Sequence, residues 1–174
     1  DANNGYSVST AIAQGRKFEQ LGIYHYEEPV AQYDYKGIAQ VAAALDVPVS
    51  AGEHEYTRWQ FRDLIEQAQV DIIQPDVVKC GGISEAQKIA VLGSVHNKHF
   101  VPHQTQPTIG TAATLHLVAS LPGANRPQEY TGPNPYLDQL FTEPLVFEDG
   151  YLLVPQKPGL GLELDEQKLM ELAM

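Results

Sequence analysis

Cysteine occurs once in the 174 residues, at Cys80, so an internal disulfide framework is excluded. Basic residues are scarce. Lys and Arg number 11 against 22 Asp and Glu, a formal net charge of −11. A phosphate backbone is held by clustered Lys and Arg, so nucleic acid is excluded as a partner. No apolar run nears the roughly 18–20 residues that a membrane helix needs, and no membrane partner is expected. No basic segment followed by an apolar one marks a secretory leader. With the lone cysteine, this gives the expectation of a reducing, cytoplasmic location. Also missing are a Gly-x-Gly-x-x-Gly fingerprint, a P-loop and a Gly-x-Ser-x-Gly elbow, and Cys80 has no support as a nucleophile. The first residue is Asp1 and not Met, which leads us to expect a fragment or a processed product.

What is present is a hydrophobic fraction of 43%, enough for a folded core. Short strand-like runs, 22–26, 48–51, 70–74, 100–102 and a weaker 126–130, alternate with helical patterns at 7–21, 37–45, 58–68, 84–97 and 111–121. Ser84 is the expected N-cap of the fourth helix. Tyr56, Trp59 and Phe61 at the start of the third read as packing residues. This alternation predicts an α/β chain with a parallel sheet. Residues 143–155 read as two short strands around Glu148-Asp149-Gly150, followed by a helix over 166–172.

One polar residue recurs just beyond each strand position. Asp1, Glu27 and Glu53 are 26 apart, Asp76 follows after 23, His103 after 27 and Glu129 after 26. That interval is one strand, one helix and two loops of a (β/α) barrel, whose catalytic groups sit at the C-terminal strand ends. Only five further strands follow Asp1, so we expect a partial TIM-type barrel lacking its N-terminal strands.

Asp1, Glu27 and Glu53 brought together would repel unless a cation lay among them. An all-oxygen set favours a hard ion such as Mg²⁺. The alternative is solvated loop carboxylates. Asp76 and His103 end the next two strands. A neutral imidazole takes a proton near neutral pH, and a neighbouring carboxylate fixes its tautomer; a histidine bonded only to backbone is the alternative. Glu129 is a candidate partner for a developing oxyanion, or else a solvated strand-end carboxylate. Asn3, His54 and Lys79 are candidate substrate-binding residues. Of the remaining histidines, His25 is expected to be buried and satisfied, His96 and His99 solvated, and His116 structural.

The segments Glu27-Glu28-Pro29, Gly52-Glu53-His54, Gln74 to Gly82, Val101-Pro102-His103 and Pro158-Gly159-Leu160-Gly161 resemble the enolase superfamily, and within it the mandelate racemase branch. The resemblance implies Asp1, Glu27 and Glu53 as Mg²⁺ ligands, and Asp76 with His103 as a dyad in which His103 is the general base. Glu129 would assist at the substrate carboxylate. Aspartate at position 76, where the muconate-cycloisomerase branch usually has a catalytic lysine, favours the His–Asp branch. The resemblance also implies a barrel part, 1–142, and a tail, 143–174, that packs back towards an N-terminal capping domain absent from this chain.

The expected reaction is Mg²⁺-dependent removal of the proton α to a carboxylate. Dehydration of a sugar acid to a 2-keto-3-deoxy acid comes first. A racemase or epimerase of a 2-hydroxy acid and a non-catalytic fragment are the alternatives. The expected partners are a small-molecule carboxylate and, at full length, further copies of the same chain.

Overall fold

The computed structural model describes residues 1–172. They form two compact units, Asp1–His103 and Gln104–Met174, the second including two residues outside the described range. The divide falls after the last strand of the sheet and not at residue 143. The expected tail 143–174 therefore shares its unit with 104–142, and its last two residues lie outside the description.

The first unit is four consecutive βα-type repeats. Strands β1 (Tyr26–Glu27), β2 (Val49–Ala51), β3 (Ile72–Ile73) and β4 (His99–Phe100) form one parallel sheet in sequence order. Tyr26 pairs with Val49, Ser50 with Ile72 and Ile72 with His99. Helices α1 (Val8–Gln20), α2 (Tyr35–Ala44), α3 (Thr57–Asp63) and α4 (Ile83–Val95) alternate with the strands. This is the α/β architecture expected of a partial barrel. Parallel strands are buried on both faces. Val49, Ser50, Ile72 and Ile73 accordingly have no exposed surface, and Phe61, Leu64 and Ile89 close over them from the helices.

Several boundaries differ from expectation. The third helix does not run uniformly over 58–68. It widens into a π-helical turn, Leu64–Ala68, which ends on Gln69 in the left-handed conformation. That turn places Leu64, Ile65 and Ala68 all in the core. Ser84 is not the N-cap of α4; Gly82 is, at φ 87°, where glycine meets no Cβ penalty. Phe61 is buried, but Tyr56 and Trp59 are 56% and 63% exposed, so packing accounts for only one of the three.

The second unit holds α5 (Ile109–Ser120), a short α6 (Pro135–Asp138), the antiparallel pair β5 (Phe147–Glu148) and β6 (Tyr151–Leu152), and α7 (Glu166–Leu172). The expected strand at 126–130 is a loop. Pro127 has no N–H to give a ladder, and among the described residues no strand pairs with it. No described helix is long and apolar enough to cross a membrane.

Candidate active site

The C-terminal ends of the strands of the first unit carry most of the candidate residues. Glu27 is the last residue of β1. Beyond it the ladder continues, the Glu28 N–H donating to Ser50 O at 2.9 Å. Beyond β2, Gly52 at φ 142° lets the chain pass close to its neighbour; a Cβ there would stand 2.9 Å from Gln74 N and 2.9 Å from the Phe61 ring. That close approach delivers Glu53 and His54. Asp76 follows β3 and His103 follows β4.

His103 and Asp76 meet. His103 Nδ1 lies 2.9 Å from Asp76 Oδ2, and both side chains are buried. The Val78 N–H donates to Asp76 Oδ1 at 2.9 Å, and Lys79 Nζ is 3.7 Å from Oδ2. Burial works to raise the Asp76 carboxyl, but the bonds from His103 and Val78 and the Lys79 charge outweigh it and hold it below the usual carboxylate range. An anionic Asp76 is a firm acceptor for the imidazole N–H and fixes the tautomer. The other ring nitrogen, Nε2, contacts Glu53 Oε2. Lys79 Nζ is 3.6 Å from that same oxygen.

The carboxylates gather less simply. Ligand atoms of Glu28, Glu53 and His54 lie within 4.8 Å of one another. Glu27 and Asp1 stand outside that group. Glu27 faces His25 Nε2 at 3.6 Å. Burial raises its carboxyl, but hydrogen bonds with His25 and Gln74 bring it below the usual range. Asp1 is exposed; its Oδ1 accepts from the Asn3 N–H at 2.6 Å, while Ala2 N–H donates to Glu27 O at 3.0 Å and keeps this loop beside β1. His54 Nε2 is 2.9 Å from Glu53 Oε1 and 3.6 Å from Glu28 Oε2. Asn3 is exposed.

Glu129 belongs to the second unit, where its Oε2 accepts from the Gln104 N–H at 2.6 Å. It lines a cavity of about 730 Å³ in that unit together with Arg126, Tyr130 and Phe147. His116 Nε2 bonds Leu160 O at 3.2 Å, a structural role. His96 and His99 are exposed. His25 is only half-buried, and its Nδ1 has no hydrogen-bond partner, so the expectation of a satisfied buried histidine is corrected: Glu27 occupies one nitrogen alone. The Cys80 thiol is pushed up to about 11 by burial, with Asp76 and Glu85 adding to it, which leaves almost no thiolate near neutral pH.

Two buried carboxylates lay outside the sequence reading. Glu28 and Glu55 are 3% and 5% exposed, and burial pushes each up to about 7. For Glu28 the charges of Glu53, Glu27 and Glu55 add to burial. The available signal was the doubled acid in Glu27-Glu28-Pro29, of which alternation assigns only one to the strand's inward face.

Comparison with known proteins fits this arrangement. The family model described as enolase C-terminal domain-like matches residues 1–168. The arabinonate dehydratase of Saccharolobus solfataricus is 39% identical over 164 residues, covering 92% of this chain and 43% of that protein. The D-galactarolactone cycloisomerase of Agrobacterium fabrum is 36% identical, covering 100% of this chain and 48% of that protein. A mandelate racemase/muconate lactonizing protein from Paracoccus denitrificans, solved by crystallography, superposes with a TM-score of 0.91 at 41% identity, over 98% of this chain and 46% of that one. A structure of such a protein from the same organism is complexed with magnesium, TM-score 0.90. The chain thus spans a little under half the length of these relatives. With a family match along nearly its whole length and relatives this similar, the chain belongs to the enolase C-terminal domain-like family.

Proposed function

We propose that this chain carries the proton-abstracting part of an enzyme that dehydrates a sugar acid to a 2-keto-3-deoxy acid. The observation that carries the reading is the buried Asp76–His103 pair set beside Glu53 at the strand ends. Asp76 engages Nδ1, and Nε2, which contacts Glu53 here, is the ring atom that would take a proton when Glu53 serves the cation instead. Three named relatives add weight, being dehydratases of arabinonate, of L-talarate/galactarate and of D-galactonate.

The residues suit a hard divalent cation. Burial first, and then the charges of Glu53, Glu27 and Glu55, push Glu28 up to about 7, and Glu28 Oε1 is buried with no partner. Asp1, Glu27 and Glu53 would hold Mg²⁺ as all-oxygen ligands. When bound, the ion would draw charge from the substrate carboxylate and so make the α-proton removable. His103 takes that proton, and Asp76 stabilises the imidazolium. Lys79 and His54, which contact the Glu53 carboxylate at 3.6 and 2.9 Å, would orient the anionic substrate with Asn3. Glu129 enters by the family resemblance, as a hydrogen-bonding partner for the charge that develops on the substrate. The β-hydroxyl leaves as water on receiving the proton that His103 took, and the enol that remains tautomerises to the 2-keto-3-deoxy acid.

The cycloisomerase relative supports a second reading, in which the same proton abstraction is followed by isomerisation without loss of water. A racemase or epimerase would share that first step. The full protein, given Mg²⁺ and a panel of aldonic and aldaric acids in D₂O, is expected to release a 2-keto-3-deoxy acid and to exchange the α-proton. Exchange without a keto acid would favour isomerase or racemase chemistry. Neither product nor exchange with any acid would reject the enzyme readings and leave a binding fragment.

A further inference from the structure

Glu28 is buried, yet the chemistry proposed above gives it no part. Its side chain is 3% exposed. One carboxylate oxygen, Oε2, accepts from the Asn4 side-chain amide at 2.6 Å and faces His54 Nε2 at 3.6 Å. The backbone repeats the link, Asn4 N–H donating to Glu28 O at 2.9 Å. Asn4 is therefore tied to one residue twice, once by side chain and once by main chain. Asn3 and Asn4 turn the chain at φ of 45° and 61°, a left-handed region that asparagine adopts more readily than most residues, and Glu28, across the contact, stands at φ 42°, where a longer side chain is strained. Non-glycine residues persist there when the surroundings over-determine them, and such strain clusters at functional sites. A carboxylate is not buried without a partner that offsets its desolvation. The partners here are Asn4 and His54, which belong to two different loops.

We infer that Glu28 is a positioning residue: through Asn4 it fixes the loop that carries Asp1 and Asn3, and through His54 it fixes the loop that carries Glu53. One buried side chain thereby sets the separation of two loops. This inference rests on the reading above insofar as Asp1 and Glu53 are metal ligands. Partners that orient ligands without touching the metal are worth about 10–100-fold in metal affinity.

The test uses Asn4→Ala, which removes the donor and touches neither a ligand nor the base, alongside Glu28→Leu and the double variant, all in the full protein. Mg²⁺ affinity is measured by titration calorimetry and backbone amide exchange is followed across residues 2–6. Asn4→Ala is expected to weaken Mg²⁺ binding by about tenfold or more and to speed amide exchange in that loop. Because Glu28→Leu already removes the contact that Asn4→Ala removes, the double variant should bind Mg²⁺ no more weakly than Glu28→Leu alone. Should Glu28→Leu fail to fold, Asn4→Ala still decides. Unchanged loop exchange in Asn4→Ala overturns the inference. So does faster exchange with unaltered Mg²⁺ affinity, which would make the contact merely structural, and so do additive losses. If the unaltered protein binds no Mg²⁺ and exchanges no α-proton, the functional reading is what fails, and the amide exchange alone then judges whether Glu28 and Asn4 order the loop.

Discussion

His103 has two partners, and the proposed reading gives it the proton rather than the cation. Asp76 takes Nδ1, while Nε2 meets the Glu53 carboxylate. Removing the imidazole should therefore act on proton transfer far more than on the cation. His103→Asn is expected to slow α-proton exchange by roughly 10²- to 10⁴-fold, the usual share of a general base, while Mg²⁺ affinity measured by calorimetry changes little. A parallel collapse of both would show that His103 holds the metal and not the proton. On the proposed reading Glu53→Gln should do the reverse, weakening Mg²⁺, because it replaces an anionic carboxylate by a neutral amide. The residue scale also shows which signals reach a sequence reader. The meeting of Asp76 and His103 was legible, since each stands just beyond a strand-like run, 70–74 and 100–102, one barrel repeat apart. The crowding of Glu28 was not. It depends on Glu28 lying past the end of the strand at positive φ, where simple alternation of faces no longer applies.

Elements are held in register by a few long contacts. The clearest joins α3 to α4. Arg58 donates to Glu85 through its backbone N–H at 2.8 Å, through Nε at 2.8 Å and through NH2 at 2.5 Å. The side-chain bonds come first, the backbone bond second, and together they pull the Glu85 carboxyl down to about 2. In an unfolded chain the same group titrates near 4.3. A depressed acid stabilises the fold at pH above its unfolded value and loses that contribution as pH falls towards the folded value. Stability should thus decline from about pH 5 to about pH 2, and Glu85→Gln should flatten that stretch while lowering stability near neutral pH. Urea unfolding midpoints across the window measure it, and an unchanged slope in the variant would remove Glu85 from the account. The order of strands and helices was readable from hydrophobic alternation, whereas their ends were not. The π-helical turn at Leu64–Ala68 answers to core packing, which a helical period cannot reveal. The short α6 did have a local signature, Asn134 capping Leu137 N–H with Pro135 at the first helical position, but four residues are too few to set a period.

For the whole chain, the first unit is the better-filled. Among the described residues, nearly all the large side chains less than 2% exposed belong to Asp1–His103, among them Phe61, Ile38, Leu64, Ile72, Ile73 and Ile89. The sequence announced this half more clearly, because continuous apolar strands buried on both faces stand out from their helices. In the second unit the weaker run, 126–130, had no strand to pair with among the described residues and stayed a loop. Hydrophobicity proposes a strand, but only a neighbour's ladder makes one. The family resemblance reached further than either, since spaced motifs survive where local periodicity fades. The uneven filling has a measurable consequence. Phe61 lies under the sheet and beside Gly52, whose lack of a Cβ lets the ring approach. Phe61→Ala should cost about 3–5 kcal/mol of stability, as large-to-small changes in a close-packed core do, and it should also loosen the turn that presents Glu53. Met170→Ala in α7, where the side chain is 67% exposed, should change stability by no more than about 0.5 kcal/mol. Urea denaturation of the two variants side by side tests the contrast, and equal costs would mean that the first unit is not the seat of the chain's stability.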